Sequence, residues 1–290
     1  MNEPLFTGVC TALVTPFLDD QVNYAMFEQL LRRQCDAGIE AVVICGTTGE
    51  APTLSTYEKL ELFSRAKYYT GNACKIIAGT GSNSTLHTVQ LSKAAAQCGA
   101  DALLVVTPYY NKATPDGLYA HYLAVSQTVD IPIIVYNVPS RTGLDVPLQV
   151  YERLAKIPNI IGTKEASNDI TKITKLLCCC GNDLTVWSGN DDMTVPMMSL
   201  GVKGVISVLS NVLPAETQAM CQAALNGDFS TASALQLELQ PLIEALFCEV
   251  NPIPVKEAMK MIGYDCGECR MPLSAMSKEK REKLKRLLLP

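Results

Sequence analysis

Short apolar runs recur along the first 210 residues of the chain. Eight runs begin near Val9, Ala41, Lys75, Ala102, Pro132, Ile160, Leu184 and Gly204, at a mean spacing of about 28 residues. Most are continuous rather than alternating with polar positions, a pattern typical of strands that are buried on both faces of a parallel sheet.

The segments between the runs have helical periodicity. Residues 26–31 form an apolar stripe, and Ser55 and Glu58 have the spacing of a capping box. Eight strand–helix units predict a (β/α)8 TIM barrel. A doubly wound sheet is the alternative, but its glycine fingerprint is incomplete, because Ser84 stands where a third glycine should follow Gly79 and Gly81.

The strand pattern stops at about residue 213. Four helices are predicted beyond it, at 214–226, 230–248, 253–263 and 277–288. We therefore expect a barrel over residues 1–225 and a C-terminal helical region over residues 226–290.

Composition excludes several classes of protein. The 290 residues are 48% hydrophobic and 18% charged, which excludes a disordered chain, and the net charge of −5 argues against nucleic-acid binding. No apolar run approaches the ~20 residues of a membrane helix, and Met1–Pro4 does not resemble the start of a signal peptide. Twelve cysteines without an export signal predict reduced, mostly buried thiols in the cytoplasm.

Polar residues gather where the predicted strands end. These segments are Gly46–Glu50, Thr107–Asn111, Tyr136–Gly143, Thr163–Ser167 and Ser188–Asp191. Because catalytic groups of a parallel barrel lie at the carboxyl ends of its strands, these segments predict one shared site.

Lys164 is the most informative of these residues. It follows an apolar strand directly, so we expect it to emerge into the barrel mouth, where loss of water disfavours the ammonium form of a lysine. A neutral lysine can attack a carbonyl carbon and form a Schiff base. A structural pair with Glu165 is the alternative, but neighbouring strand residues should point to opposite faces.

The accompanying residues fit carbonyl chemistry. Tyr136 can serve as a general acid and base, and Thr47 and Thr48 lie in a glycine-flanked turn that can bind a carboxylate or pass a proton. Arg141 follows a proline in a predicted loop and can hold a carboxylate with two hydrogen bonds. His87 and His121 fall in predicted helices and are too few for a histidine-based metal site, so no metal is expected.

The ordered motifs Gly-Thr-Thr-Gly-Glu, Tyr-Tyr-Asn, Tyr-Asn-Val-Pro-Ser-Arg-Thr-Gly and Gly-Thr-Lys-Glu-Ala resemble those of the dihydrodipicolinate synthase family. The resemblance covers the whole chain and implies a lyase of the pyruvate-dependent class I aldolase type. Such an enzyme condenses pyruvate with aspartate semialdehyde in lysine and diaminopimelate biosynthesis. It needs no cofactor and assembles as a homotetramer, a dimer of dimers.

The resemblance also implies residue roles. Lys164 would form the Schiff base, while Tyr136, Thr47 and a Tyr110 lent by a neighbouring subunit would relay protons. The residues implied to contact substrate are Thr48, Arg141, Gly189 and Ile206.

One family site departs from the expected pattern. Family members inhibited by lysine carry histidine and glutamate at the positions of Thr56 and His87, although Asn83 and Tyr109 match. Because His87 cannot supply a carboxylate for the inhibitor's ammonium group, we expect weak or absent inhibition by lysine.

Two other functions remain open from the sequence. One is a related aldolase, such as N-acetylneuraminate lyase or another sugar-acid aldolase, and the other is a catalytically silent binding barrel. The Arg141 segment favours the synthase over the sugar-acid enzymes.

Overall fold

The computed structural model describes residues 3–181 and 183–289. Its eight barrel strands are β1 (Gly8–Ala12), β4 (Ala41–Ile44), β5 (Lys75–Gly79), β6 (Ala102–Val106), β7 (Ile133–Asn137), β8 (Ile160–Glu165), β9 (Thr185–Ser188) and β10 (Gly204–Ser207). All neighbouring strands are parallel, and β1 pairs with both β4 and β10, so the sheet closes on itself. The prediction of a (β/α)8 barrel is confirmed, and the doubly wound alternative is wrong because the sheet has no open edge.

Helices alternate with the barrel strands, and four further helices follow the last strand. They are α1 (Tyr24–Asp36), α2 (Thr56–Thr70), α3 (Thr85–Gln97), α4 (Pro115–Ser126), α5 (Pro139–Thr142), α6 (Leu148–Leu154), α7 (Ile170–Cys180), α8 (Thr194–Met198), α9 (Pro214–Leu225), α10 (Phe229–Leu246), α11 (Ile253–Met261) and α12 (Lys278–Leu288). The last four match the predicted C-terminal helices to within two residues at each end. The division of the chain at residue 225 stays a prediction.

Local signals account for the start of α2. The Ser55 hydroxyl accepts a hydrogen bond from the Glu58 main-chain N–H, and the Glu58 side chain accepts one from the Ser55 N–H at 2.8 Å. This is the capping box that the spacing predicts. By contrast, a two-stranded hairpin of β2 (Phe17–Leu18) and β3 (Gln21–Val22) was not predicted, because strands of two residues carry no periodicity.

Two hydrophobic clusters lie on the two sides of the barrel wall. The larger one joins the outward faces of the strands to the helices, and the smaller one fills the barrel interior. Within the interior cluster, the rings of Phe6 and Trp187 stack with centroids 4.8 Å apart. The Trp187 indole also donates a hydrogen bond to the Phe6 carbonyl at 3.2 Å, so the ring is fixed in place.

No helix of the described chain is both long enough and apolar enough to cross a bilayer.

Candidate active site

Lys164 and Tyr136 are side by side at the carboxyl ends of two neighbouring strands. They are register partners in the β7–β8 pair, and Lys164 Nζ lies 4.5 Å from the centre of the Tyr136 ring. Both side chains are buried. An amine and a phenol are therefore held together at the end of an apolar barrel, as the sequence predicted.

Glu165 faces the opposite side of the barrel wall. Its carboxylate accepts a hydrogen bond from Asn137 Nδ2 at 2.8 Å and one from the Tyr151 hydroxyl at 2.9 Å. Burial and the neighbouring Glu165 charge raise the pKa of Tyr151 well above its ordinary value, so the phenol remains a donor. The prediction that Lys164 and Glu165 point to opposite faces is confirmed, and the alternative of a Lys164–Glu165 ion pair is wrong.

Gly189 gives the Lys164 side chain its space. A Cβ atom at Gly189 would lie 2.7 Å from the Ala166 Cβ and 3.1 Å from Lys164 Cε. The Gly189 N–H also donates to the Glu165 carbonyl at 2.7 Å. Ile206 is fully buried in the interior cluster that also contains Tyr136.

Residues near the C-terminus form hydrogen bonds to the turn that follows β4. The buried Thr48 hydroxyl accepts a hydrogen bond from Asn251 Nδ2 at 3.0 Å. Two residues on, the buried Glu50 carboxylate accepts one from Lys256 Nζ at 2.9 Å and one from the Arg270 N–H, also at 2.9 Å. No local sequence pattern predicts these contacts, because the partners are about 200 residues away in the chain.

A cavity of about 500 Å³ opens beside this turn. Thr47, Tyr136 and Arg141 all line it. Arg141 lies in the four-residue helix α5 and not in the loop predicted for it, because Pro139 provides a favourable first helical residue. Its side chain is exposed at the rim, where a carboxylate could reach it.

Four predicted residues do not line this cavity although they lie at the strand ends or in the barrel interior: Lys164, Thr48, Gly189 and Ile206. Two more predicted residues, Tyr110 and Thr56, are exposed and also lie outside it. Tyr110 is 90% exposed, has a φ of +72°, and does not line the cavity. Thr56 is exposed at the start of α2 and is also outside the cavity. Asn83, His87 and Tyr109, which the sequence grouped with Thr56, do line it.

Asp191 is a buried carboxylate to which the sequence assigned no role. Its Oδ2 atom accepts main-chain hydrogen bonds from Val208 at 2.9 Å and Leu209 at 3.1 Å, and so fixes the segment after β10. Burial raises its pKa, although these hydrogen bonds and the charge of Lys164 oppose the shift.

One of the two histidines, His87, and one of the twelve cysteines, Cys45, line the cavity. Both histidines are helical, as predicted, and burial lowers the pKa of His121 to about 4. All twelve cysteines fall within the described chain and are unpaired. Six of them are buried and four are partly buried, whereas Cys178 and Cys179 near the end of α7 are exposed.

Comparisons with known proteins agree over nearly the whole chain. The model of the Dihydrodipicolinate synthetase family matches residues 5–289. A 4-hydroxy-tetrahydrodipicolinate synthase from Acetivibrio thermocellus is 44% identical over 288 residues, covering 99% of this chain and 98% of the relative.

Solved structures give the same result. Dihydrodipicolinate synthase from Aquifex aeolicus is 44% identical with a TM-score of 0.96, over 98% of this chain and 97% of that one. The chloride-inhibited enzyme from Acinetobacter baumannii, in complex with pyruvate, is 41% identical with a TM-score of 0.95 over 97% of both chains.

Proposed function

Because the chain belongs to the dihydrodipicolinate synthetase family, we propose that Lys164 and the cavity beside it are where the family reaction takes place. The enzyme is a lyase of the class I aldolase type. It condenses pyruvate with L-aspartate 4-semialdehyde to give 4-hydroxy-tetrahydrodipicolinate in lysine biosynthesis.

Lys164 is the proposed nucleophile. Its amine attacks the keto carbon of pyruvate, water leaves, and an imine forms. Loss of a methyl proton then gives the enamine, because the imine nitrogen accepts the electron pair. That electron sink lies in the substrate adduct itself, so the reaction needs no metal or organic cofactor.

The second half of the reaction forms the ring. The enamine carbon attacks the aldehyde carbon of aspartate semialdehyde, and the amino group of the joined product then displaces Lys164. Both proton-transfer stages need a group that can give and take a proton, and we assign this role to Tyr136, whose ring centre lies 4.5 Å from Lys164 Nζ. Thr47 lines the same cavity and would extend the relay.

Other residues would hold the substrates. We assign the pyruvate carboxylate to Thr48, and the walls around pyruvate to Gly189 and Ile206. Arg141 at the rim would bind the carboxylate of aspartate semialdehyde through two charge-assisted hydrogen bonds. The exposed position of Arg141 supports this assignment, since the second substrate must enter after pyruvate is bound.

We also propose a homotetramer built from two dimers. The exposure of Tyr110 supports it, because a tyrosine that lies outside the cavity of its own chain is available to complete the relay in a neighbouring subunit. A cytoplasmic location is proposed with it, and the unpaired thiols of the described chain agree with a reducing compartment.

The assignment of Lys164 as the nucleophile rests on one observation: Lys164 and Tyr136 are register partners on the neighbouring strands β8 and β7. The test is to incubate the enzyme with pyruvate, reduce it with borohydride, and map the added mass by peptide mass spectrometry. We expect a reduced pyruvyl group on Lys164 and none in Lys164→Arg. The matched variant Lys93→Arg, at an exposed lysine of α3, should be labelled like the parent enzyme. An unlabelled Lys164 in the parent enzyme would refute the assignment.

A further inference from the structure

Two successive register pairs lie at the carboxyl ends of β7 and β8. The inner pair is Tyr136 with Lys164, inside the barrel, and the outer pair is Asn137 with Glu165, which faces the surrounding helices. Both side chains of the outer pair are fully buried. The proposed reaction uses the inner pair and leaves the outer pair without a role.

The Glu165 carboxylate accepts hydrogen bonds from donors on three different parts of the chain. Its Oε1 atom accepts from Asn137 Nδ2 at 2.8 Å and from the Ser167 N–H at 3.0 Å. Its Oε2 atom accepts from the Tyr151 hydroxyl at 2.9 Å. Burying a carboxylate is unfavourable unless such donors replace its hydration. Glu165 is therefore fixed to β7, to the turn after β8 and to α6.

Asn137 connects this carboxylate to the segment that contains Arg141. Its Nδ2 atom donates a second hydrogen bond, to Asp145 Oδ1 at 2.8 Å, and its Oδ1 atom accepts one from the Val146 N–H at 3.2 Å. Because two carboxylates face the amide nitrogen and an N–H faces the amide oxygen, one orientation of the amide satisfies all three partners. Asn137 thus closes the segment 138–144, which includes α5 and Arg141.

The outer pair fixes the separation of the inner pair, because adjacent residues of a strand share one backbone. The hydrogen bond between Asn137 and Glu165 joins the ends of β7 and β8 where the amine and the phenol project inward. A displacement of about 1 Å at a reacting group can reduce a rate by about 100-fold. The outer pair is therefore placed to control the reaction without contact with the reacting atoms.

We propose that Asn137 and Glu165 are a positioning pair for the reaction. They keep the inner pair in register and connect it to the segment that contains Arg141. The inference rests on the proposed function, in which the inner pair forms the Schiff base and moves protons. Neither residue touches substrate, because both side chains lie on the outer side of the barrel wall.

The first variant is Asn137→Leu, which removes all three hydrogen bonds of the amide. We expect kcat to fall by about 100-fold. KM for aspartate semialdehyde should rise by about three- to tenfold, because the Arg141 segment is no longer closed. KM for pyruvate should stay near that of the parent, because Thr48 belongs to a different turn. Steady-state kinetics with each substrate varied measures this split.

Glu165→Gln is the conservative variant. Its side-chain oxygen can accept from Asn137 and Ser167 as the carboxylate does. Its side-chain nitrogen can donate to the Tyr151 oxygen, whose proton then turns to Thr163 Oγ1, 3.2 Å away. Because every hydrogen bond is kept, kcat should stay within about fivefold of the parent. Glu165→Leu keeps none of them and should lose kcat as Asn137→Leu does.

A matched pair of tyrosine variants separates positioning from stability. Tyr151→Phe removes one donor to Glu165 with little change in shape, and kcat should fall by about three- to tenfold. Tyr122→Phe also removes one buried hydroxyl, which donates to the Val105 carbonyl of β6 at 2.9 Å. We expect both variants to lower the melting temperature and only Tyr151→Phe to lower kcat. This comparison decides the proposal even if the leucine variants do not fold.

Three results would overturn the proposal. They are equal kcat values for Tyr151→Phe and Tyr122→Phe, a parental kcat in folded Asn137→Leu, and a kcat of Glu165→Gln as low as that of Glu165→Leu. The borohydride adduct is mapped on the parent enzyme first. An unlabelled Lys164 there refutes the proposed nucleophile, whereas a labelled parent with unaffected variants refutes the positioning pair alone.

Discussion

Asn251 Nδ2 donates a hydrogen bond to the Thr48 hydroxyl at 3.0 Å across 203 residues of chain. Because the Thr48 oxygen accepts from Asn251, its own proton is directed elsewhere and is free to meet a substrate carboxylate. The C-terminal helical region therefore takes part in shaping the turn after β4.

Replacing Asn251 should weaken pyruvate binding more than turnover. In Asn251→Leu the Thr48 hydroxyl loses its fixed orientation, and we expect KM for pyruvate to rise by about three- to tenfold, the effect of one hydrogen bond. Steady-state kinetics with varied pyruvate measures it. The control Asn226→Leu removes an exposed asparagine whose side chain accepts a hydrogen bond from Gln222 of the preceding helix α9, and it should leave KM unchanged. An unchanged KM in Asn251→Leu would contradict the proposed role of Thr48.

Two inactive variants should restore activity when they are mixed. Tyr110→Phe lacks the lent phenol and Lys164→Arg lacks the nucleophile, so each is expected to lose most of its turnover. In a mixed dimer, the Tyr110→Phe subunit keeps Lys164 and receives Tyr110 from the other subunit, which gives one intact site.

Dissociation and reassociation of the two variants, followed by an activity assay, measures this recovery. Each variant taken alone through the same procedure is the control. Recovery only to the sum of the separate activities would show that Tyr110 acts within its own chain or not at all.

Lysine should inhibit the enzyme weakly or not at all. The cavity lined by Asn83, His87 and Tyr109 is also lined by Lys59, so an incoming ammonium group meets like charge and finds no carboxylate among the described residues of the lining. Turnover measured across a lysine titration tests this expectation, and a micromolar inhibition constant would contradict it. The double variant Lys59→Met/His87→Glu should become more sensitive to lysine, because it removes the repulsion and supplies a carboxylate.

Glu58 should make stability depend on pH in acid. Hydrogen bonds from Arg270 lower the pKa of Glu58 from its ordinary value of 4.5 to about 2. A carboxyl group whose pKa is lower in the folded state stabilises that state fully above the unfolded pKa, and the stabilisation is lost as pH falls through the folded value.

The free energy of unfolding of Glu58→Gln should therefore be lower than that of the parent above about pH 4.5. The difference between the two proteins should shrink as the pH is lowered toward 2. Denaturant titrations across this range measure it, with the exposed pair variant Glu279→Gln as the control. A difference that does not change with pH would show that Glu58 acts only as a helix cap.

The sequence by itself determined the barrel fold and the face of strand β8 to which the Lys164 side chain points. Eight continuous apolar runs are a local pattern, since a strand buried on both faces has no polar alternation. The opposite orientation of Lys164 and Glu165 followed from the two-residue period of a strand. The capping box at Ser55 was equally local, because its two partners are one helical turn apart.

Only the tertiary structure decided which distant residues share the site. Asn251, Lys256 and Arg270 contact the turn at Thr48–Glu50 because the C-terminal region packs against the carboxyl ends of the barrel strands. The sequence pattern near the turn does not predict this packing. The same is true of Lys59, whose place in the cavity depends on how α2 packs beside β4 and β5. Hydrophobic periodicity determines on which face of a helix or strand a residue lies. The packing of whole helices and strands determines which distant residues contact that face.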